Sequence, residues 1–321
     1  MQKIDIVYLW VDGSDQKWAA QKNKWMQKIL GKKQNNVADA KASATNARWR
    51  DNGEFRYSLR SVAECAPWVN HIYIITGFGQ VPSWLNTHHP KITIVPHEDI
   101  IPADALPTFN STTIEMCIPN IKNLSEHFLI MNDDVFFNRP IMPNFFYDAR
   151  GRARVRYGRH RRTHRDIDQW MHHCDSYIHS LILSAQFISD IFGRHLYNPR
   201  PSHGIDPYTK STWIECMSHP LIRSHVDWQI RNKFRTHSDI QRWIVNLYDR
   251  VHNRAIFIRS RAAKGTRHPF FDRIYNAIHW YSTRRSPVCI TNAVMARHAI
   301  KRAPIFCIND DDANTPEIMH G

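Results

Sequence analysis

An α/β fold, built on a mostly parallel Rossmann-like sheet with helices on both faces, is predicted by three features of the sequence. Short β-branched and aromatic runs alternate with helical stretches. Each run is nearly continuous in apolar residues, and each ends in turn-forming or acidic residues. Sheets of this kind bind ligands beyond the carboxyl ends of their strands. Past residue 150 the character changes, and a basic, mainly helical second half (151–321) is expected to pack on the 1–150 core as one unit.

The first strand is expected at Ile4 to Val11, where IDIVYLWV precedes the turn chemistry of Asp12-Gly13-Ser14-Asp15. A lysine- and tryptophan-rich helix follows to about Leu30, then a polar loop over Gly31 to Asn46 that is expected to be mobile. Glu54 to Ala66 has helical spacing, with Phe55, Leu59 and Val62 on one face. Further strands are read at His71 to Thr76, Lys91 to Val95 and Phe128 to Met131, with a short helix at Ser111 to Cys117. The arginine-rich stretch from Arg150 to Arg165 reads as a β-ribbon or loop. Gln169 to Phe192, His237 to His252 and Phe270 to Tyr281 read as helices.

Composition narrows the function classes. At 321 residues, 42% hydrophobic and 22% charged, the chain matches a globular protein with a sizeable core. No run approaches the ~20 apolar residues of a membrane span; the longest, Ile178 to Phe192, is interrupted by Ser180, Ser184, Gln186, Ser189 and Asp190. The opening MQKIDIVYLW carries Asp5 and lacks a small-residue cleavage site, so it reads as a strand rather than a leader. Six scattered cysteines without a CxxC argue against a zinc site or a disulfide framework and favour a reducing cytosol. The adjacent pairs His88-His89 and His172-His173 point in different directions on a regular element and make poor chelates. Residues 1–150 hold 16 Lys and Arg against 15 Asp and Glu, whereas the remainder holds 27 against 14. That asymmetry turns the second half toward an anionic partner.

The residues able to do chemistry fall at strand ends. In FLIMNDDVFFN, Asn132-Asp133-Asp134 interrupts an apolar run, and unpaired carboxylates at the edge of a core need a cation, donors or water. Hard divalent cations prefer such oxygens and can bridge protein to phosphate. Asp12 and Asp15 lie at a neighbouring strand end. Arg56 and Arg60, spaced i, i+4, share a helix face, and a guanidinium fork suits diphosphate oxygens. A solvated turn and an ordinary surface helix are the competing structural readings.

Taken together, KIDIVYLWVDGSD, RDNGEFRYSLRSVAECAPWVNHIYIITGFGQVPSWL, LPTFNSTTIE and FLIMNDDVFF closely resemble the first two conserved regions of the Stealth family. Its members are hexose-1-phosphate transferases: bacterial capsular and cell-surface polysaccharide phosphotransferases, and the animal lysosomal-enzyme GlcNAc-1-phosphotransferase. His203-Gly204-Ile205-Asp206-Pro207 and Lys233-Phe234-Arg235 look like the third region, with His219 as the competing histidine. Cys307-Ile308-Asn309-Asp310 resembles the fourth. Two departures stand out: the usual His-x-Pro has become His-x-x-x-Pro, and the TDGQ-like turn appears as Thr76-Gly77-Phe78-Gly79-Gln80, which bears on donor-base contacts.

The resemblance implies a GT-A-like nucleotide-sugar core. It implies transfer of sugar 1-phosphate from a UDP-sugar to an acceptor hydroxyl, with UMP released and a phosphodiester formed. Asp133, Asp134 and Asp310 would hold Mg2+ or Mn2+. Arg235 and Arg56 would hold the diphosphate, with Arg60 and Lys210 assisting. His203 would take the acceptor-hydroxyl proton. Asp12, Gly13, Ser14 and Asp15 would line the uridine pocket, and Asn110, Ser111, Asn132 and Asn309 would contact substrate. The acceptor would be a polysaccharide or a lipid-linked saccharide, met in the bacterial cytoplasm with peripheral contact to the anionic inner membrane. The rivals are a metal-dependent glycosyltransferase that releases UDP, a lectin-like relative, and a nucleic-acid binder. The last lacks exposed stacking aromatics on a recognisable motif.

Overall fold

The computed structural model describes residues 2–30, 49, 51–158, 176–194, 196, 200–202, 204–259, 288–290 and 303–308. Its central sheet contains β1 (Ile4–Leu9), β2 (Ile72–Thr76), β3 (Ile92–Pro96) and β4 (His127–Met131), all mutually parallel. Each is short, and β1, β2 and β4 are almost wholly buried, as their continuous apolar runs require. A short strand, β5 (Val135–Phe137), follows β4 at once. Next come β6 (Arg154–Gly158), β7 (Arg200–Pro201) and β8 (Asp206–Thr209), then β9 (Ile256–Arg259), β10 (Val288–Ile290) and β11 (Ile305–Ile308).

The strand order of the main sheet is β3-β2-β1-β4-β8. The chain winds outward from β1 to β3 and then returns to place β4 on the other side of β1, which is the Rossmann-like switch point. Only β8 runs antiparallel, with Asp206 opposite Ile130 and Thr209 opposite His127. The second half therefore supplies a strand to the first half's sheet. Tyr147 fastens this seam: its hydroxyl lies 2.7 Å and 2.8 Å from the carbonyl oxygens of Phe128 and Tyr208. Small sheets β10-β11-β5 and β7-β6-β9 flank the centre.

The Gln16–Leu30, Glu54–Cys65 and Ser111–Met116 helices occupy the expected places. Ser176–Phe192 is a helix within the expected 169–192 stretch. The 150–165 stretch contributes β6, the middle strand of its sheet, while 159–165 lie outside the described residues. So do the 31–46 loop and the 270–281 helix. The helix expected at 237–252 starts only at Trp243. Asp239 and its neighbours are drawn instead into side-chain hydrogen bonds that hold the backbone out of helical form. The Lys210–Ser218 and Pro220–Gln229 helices were not anticipated.

Buried polar groups on the sheet are satisfied locally. Asp5 accepts from Asn70 Nδ2 and from the Ser125 amide, each at 2.7 Å. Ser58 donates to the Val135 carbonyl at 2.6 Å and lies 3.0 Å from the Tyr8 hydroxyl, fixing the Glu54–Cys65 helix to β5. At the end of β3, His97 is buried against Gly77, and burial pushes its imidazole down to about 4. A Cβ on Gly77 would stand 2.7 Å from His97 Nδ1.

His97 is thus neutral in the fold, while the unfolded chain protonates it near 6.5. The unfolded state binds more protons in that window, so this contribution is complete above about pH 6.5 and is lost as pH falls toward 4. Between pH 7.5 and 5 the loss should be about 2 kcal/mol. Urea midpoints at the two pH values should differ clearly less in His97→Gln than in the unaltered chain.

Candidate active site

The carboxyl ends of β1, β2 and β4 share one rim of the sheet. After β1, the Asp12 carboxylate accepts from the Ser14 amide and hydroxyl at 2.8 Å and 2.6 Å. Asp15 Oδ1 accepts from the Trp18 amide at 2.7 Å and caps the Gln16–Leu30 helix. Gln80, at the end of the turn after β2, brackets the Asp12 backbone: its Nε2 donates to the Asp12 carbonyl (2.8 Å) and its Oε1 accepts from the Asp12 amide (3.1 Å). Gly13 is there because the Trp49 backbone crosses it. The Gly13 amide donates to the Trp49 carbonyl at 2.8 Å, and a Cβ would sit 2.3 Å from that oxygen. Much of Asp12–Asp15 therefore builds the corner itself.

After β4, residues Asn132 to Val135 form a tight turn, with the Val135 amide donating to the Asn132 carbonyl at 3.2 Å. Asp133 and Asp134 are half-buried on it. Loss of solvent raises both carboxyls above their usual range, Asp133 well above, and for Asp133 the charges of Asp134, Glu54 and Asp51 add to the shift. Cys307 Sγ donates to Asp134 Oδ2 at 3.1 Å and works the other way. Glu54 is itself raised, by desolvation first and by Asp51 and Asp134 after it. Asp51 accepts from Trp10 Nε1 (3.2 Å) and the Gly53 amide (2.7 Å), so it too is fixed at this end of the sheet. Asp51 and Glu54 were not among the expected site residues. Their signal was the polar run RDNGEFRYSLR, from which only Arg56 and Arg60 were taken.

The carboxylates fit a hard divalent cation in donor chemistry. Asp134 Oδ1 is buried without a hydrogen-bond partner, and the neighbouring negative charges raise one another. Among the described residues, no group of three or more His, Cys, Asp or Glu side chains reaches metal-holding geometry. Asp310, the third expected ligand, lies outside the described residues, as do Asn309 and His203.

Across the rim, two segments far apart in sequence are tied together. The Phe109 amide donates to the Lys233 carbonyl at 2.8 Å. The fully buried Asp239 accepts from Asn110 Nδ2 (2.8 Å), Thr112 Oγ1 (3.0 Å), Thr236 Oγ1 (2.8 Å) and the Thr236 amide (3.1 Å). Arg235 then reaches Ser111: its Nε donates to the hydroxyl at 3.0 Å, and a terminal nitrogen does so at closer range. Asn110 and Ser111 are thus the partners of the Arg235 loop. Asp239 is the residue that sequence reasoning missed, because it lay inside an expected helix.

A second missed cluster joins this bank to β4. Arg242 donates to Glu115 through one terminal nitrogen and to Asp206 Oδ2 through the other at 3.0 Å. All three are largely buried, with side-chain exposures of 15%, 9% and 13%. Asp206 opens β8 opposite Ile130, so this knot lies at the carboxyl end of β4.

The remaining expected residues divide. Arg56 is exposed in the first turn of the Glu54–Cys65 helix, with its guanidinium 5.5 Å from the Trp84 ring centre. Arg60 lies one turn further from the acidic turn, exposed over Tyr57 at 5.7 Å. Lys210 belongs elsewhere. Its amide donates to the Glu126 carbonyl at 2.8 Å, beyond Thr209 and His127, which puts it at the amino end of β4. Because β8 runs antiparallel to β4, it carries Lys210 away from the rim, and that expectation is corrected.

Residues 2–29 match the family model described as Stealth protein CR1, conserved region 1, and residues 48–155 match Stealth protein CR2, conserved region 2. The capsular polysaccharide phosphotransferase WcwK of Streptococcus pneumoniae is 31% identical over 275 residues, covering 78% of this chain and 78% of that one. The chain belongs to the Stealth family. The exopolysaccharide phosphotransferase cps2G of Lactiplantibacillus plantarum is 45% identical over 148 residues, which is 46% of this chain and 40% of that protein. SCO6023 of Streptomyces coelicolor, also an exopolysaccharide phosphotransferase, is 44% identical over 47% of this chain and 24% of its own length. The matched stretch thus spans less than half the length of these two Stealth relatives. A solved structure of the galactosyltransferase LgtC is similar at a TM-score of 0.42 and 10% identity, over 98% of this chain and 91% of that one.

Removing Arg242 strands two carboxylates at the rim. Arg242→Met should lower unfolding stability by about 3–5 kcal/mol, the cost of breaking a buried pair from one side. The exposed Arg223–Asp227 pair (3.8 Å) provides the contrast: Arg223→Ala should cost under about 1 kcal/mol in the same urea titration.

Proposed function

We propose that this Stealth protein transfers sugar 1-phosphate from a UDP-sugar to a hydroxyl of a saccharide acceptor. UMP is released and a phosphodiester is left in a capsular or surface polysaccharide. The observation that carries the reading is the alignment with WcwK, a capsular polysaccharide phosphotransferase, over 78% of both chains. The two unlike banks of the rim support it, one anionic around Asp133 and Asp134, the other carrying Arg235 fixed on Ser111.

The acceptor oxygen attacks the phosphorus that bears the sugar. One P–O bond forms, the P–O bond to UMP breaks, and the sugar C1–O bond stays intact. Such chemistry rests mainly on positioning and on charge stabilisation. Arg235 grips diphosphate oxygens, its direction set by Ser111 and, through the Asn110–Thr112 turn, by Asp239. Arg56, at the first turn of its helix, is the second candidate cation for the donor. Asp133 and Asp134 hold Mg2+ or Mn2+, which when bound supplies positive charge to the diphosphate. His203 takes the proton of the attacking hydroxyl. The described residues Ile205 and Asp206, which follow it in sequence, lead into β8 at the carboxyl end of β4. The basic second half meets a lipid-linked or growing acceptor at an anionic leaflet in the bacterial cytoplasm.

The decisive measurement is the nucleotide product. Incubation with a panel of UDP-sugars, Mg2+ or Mn2+ and a saccharide acceptor should yield UMP; UDP instead would refute this reading in favour of glycosyl transfer. Arg235→Ala and Asp134→Asn should each reduce kcat by about 10²- to 10³-fold, with circular dichroism melting to verify the fold.

A further inference from the structure

The turn after β2 holds a conformational anomaly. Phe78 has φ of 58°, in the left-handed region, between Gly77 and a left-handed Gly79 at 71°. A bulky residue in that region is strained, and such strain persists only where the surroundings impose it or function needs it. The neighbours have evident structural reasons: Gly77 has no room for a Cβ beside His97, and the Gln80 amide brackets Asp12. Phe78 does not earn its conformation by full burial, for its ring is only half-buried.

That ring is the outer member of a ladder. It stacks on Phe109 at 5.7 Å with planes 19° apart, and Phe109 stacks on Phe234 at 5.2 Å and 14°. Trp18 packs edge-on against Phe109 at 5.7 Å, so the middle rung is held from the side. Phe109 and Phe234 are both buried, which leaves Phe78 as the open end. The ladder begins beside the Asp12 corner and ends at the residue preceding Arg235. A ligand with a flat aromatic head and an anionic tail matches this order of groups.

We propose that Phe78 is a stacking platform for the pyrimidine base of the nucleotide donor, held in its strained conformation so that the ring faces the rim. This rests on the donor reading above. The phosphates then extend toward the guanidinium at the far end of the ladder.

The test is calorimetric titration of the full chain with UDP, UMP and inorganic pyrophosphate, in the unaltered protein and in Phe78→Leu, Phe78→Asn and Phe78→Tyr. Phe78→Leu and Phe78→Asn should weaken UDP and UMP binding by about 10- to 100-fold, as expected for loss of one base–aromatic stack. Phe78→Tyr should stay within about threefold, because it keeps the stacking face. Pyrophosphate, which has no base, should bind all four proteins alike. Asn tolerates the left-handed region, so Phe78→Asn should melt no lower than the unaltered chain even as it loses nucleotide affinity. A purely structural ring would not give that combination. UDP affinity unchanged in both Leu and Asn variants overturns the platform alone. Failure of the unaltered chain to bind UDP or UMP overturns the donor reading as well.

Discussion

Pairing of β8 with the edge of β4 determines how the two halves of the chain meet. Asp206 enters opposite Ile130 and the strand leaves opposite His127, so the chain that precedes β8 arrives at the carboxyl rim and the chain that follows departs from the other end. Backbone hydrogen bonds fix this register, and a slip of one residue would turn Pro207 and Tyr208 to the wrong faces. The Tyr147 hydroxyl, between the Phe128 and Tyr208 carbonyls, resists such a slip from within the core. The approach of Ile205 and Asp206 to the rim depends on this junction, whereas Cys307 and Ile308 reach the acidic turn separately, through β11 paired with β5. The Glu115–Arg242–Asp206 knot is its electrostatic counterpart, linking the Ser111–Met116 helix, the start of β8 and the approach to the Trp243–Val251 helix.

Arginines with similar surroundings in sequence do different work. Arg242 is largely buried between two carboxylates, an arrangement that holds elements together and leaves its fork occupied. Arg235 is oriented by a hydroxyl, and the loop carrying it is secured by a neutral turn at Asn110 and Thr112 together with the buried Asp239. The hydrogen bonds that Asp239 accepts from Asn110, Thr236 and Thr112 oppose the upward push that burial gives its carboxyl. A carboxylate satisfied in this way acts as a rigid pivot. The result is a guanidinium placed by its supports, with geometry set before any ligand arrives.

Strand ends were legible because burial on both faces leaves continuous apolar runs, and a polar break in such a run marks the rim. Asp12 and Asp133 were found that way. What the sequence hid was long-range satisfaction of polar groups. Glu115 sits in a helix where glutamate is unremarkable, and only the fold brings Arg242, 127 residues away, against it. Asp239 looked like part of a helix because hydrophobic spacing around it is helical, yet the donors converging on its carboxylate outweigh that local preference. Lys210 failed for a topological reason, since a basic residue close to His203 in sequence is carried by an antiparallel strand to the opposite edge. Gly13 was read as a substrate contact, and its lack of a Cβ is first required by the Trp49 backbone.

The acidic turn makes physical sense only with its surroundings counted. Val135, Phe136 and Phe137 are buried directly after it, and Tyr8 and Phe55 lie fully buried beneath, so the solvent around Asp133 and Asp134 is sparse. Among the described residues, no lysine or arginine forms an ion pair with either carboxylate. Cys307 and the Ile308 amide, which donates to the Asp134 carbonyl at 2.9 Å, orient Asp134 without neutralising it. Among the described residues no cation relieves the repulsion from Asp134, Glu54 and Asp51, which adds to desolvation in raising Asp133. The divalent cation of the proposed function would relieve both terms at once, and more strongly in this setting than in open water. The same desolvation that makes the bare turn costly would strengthen the hold of the cation that the proposed function puts there.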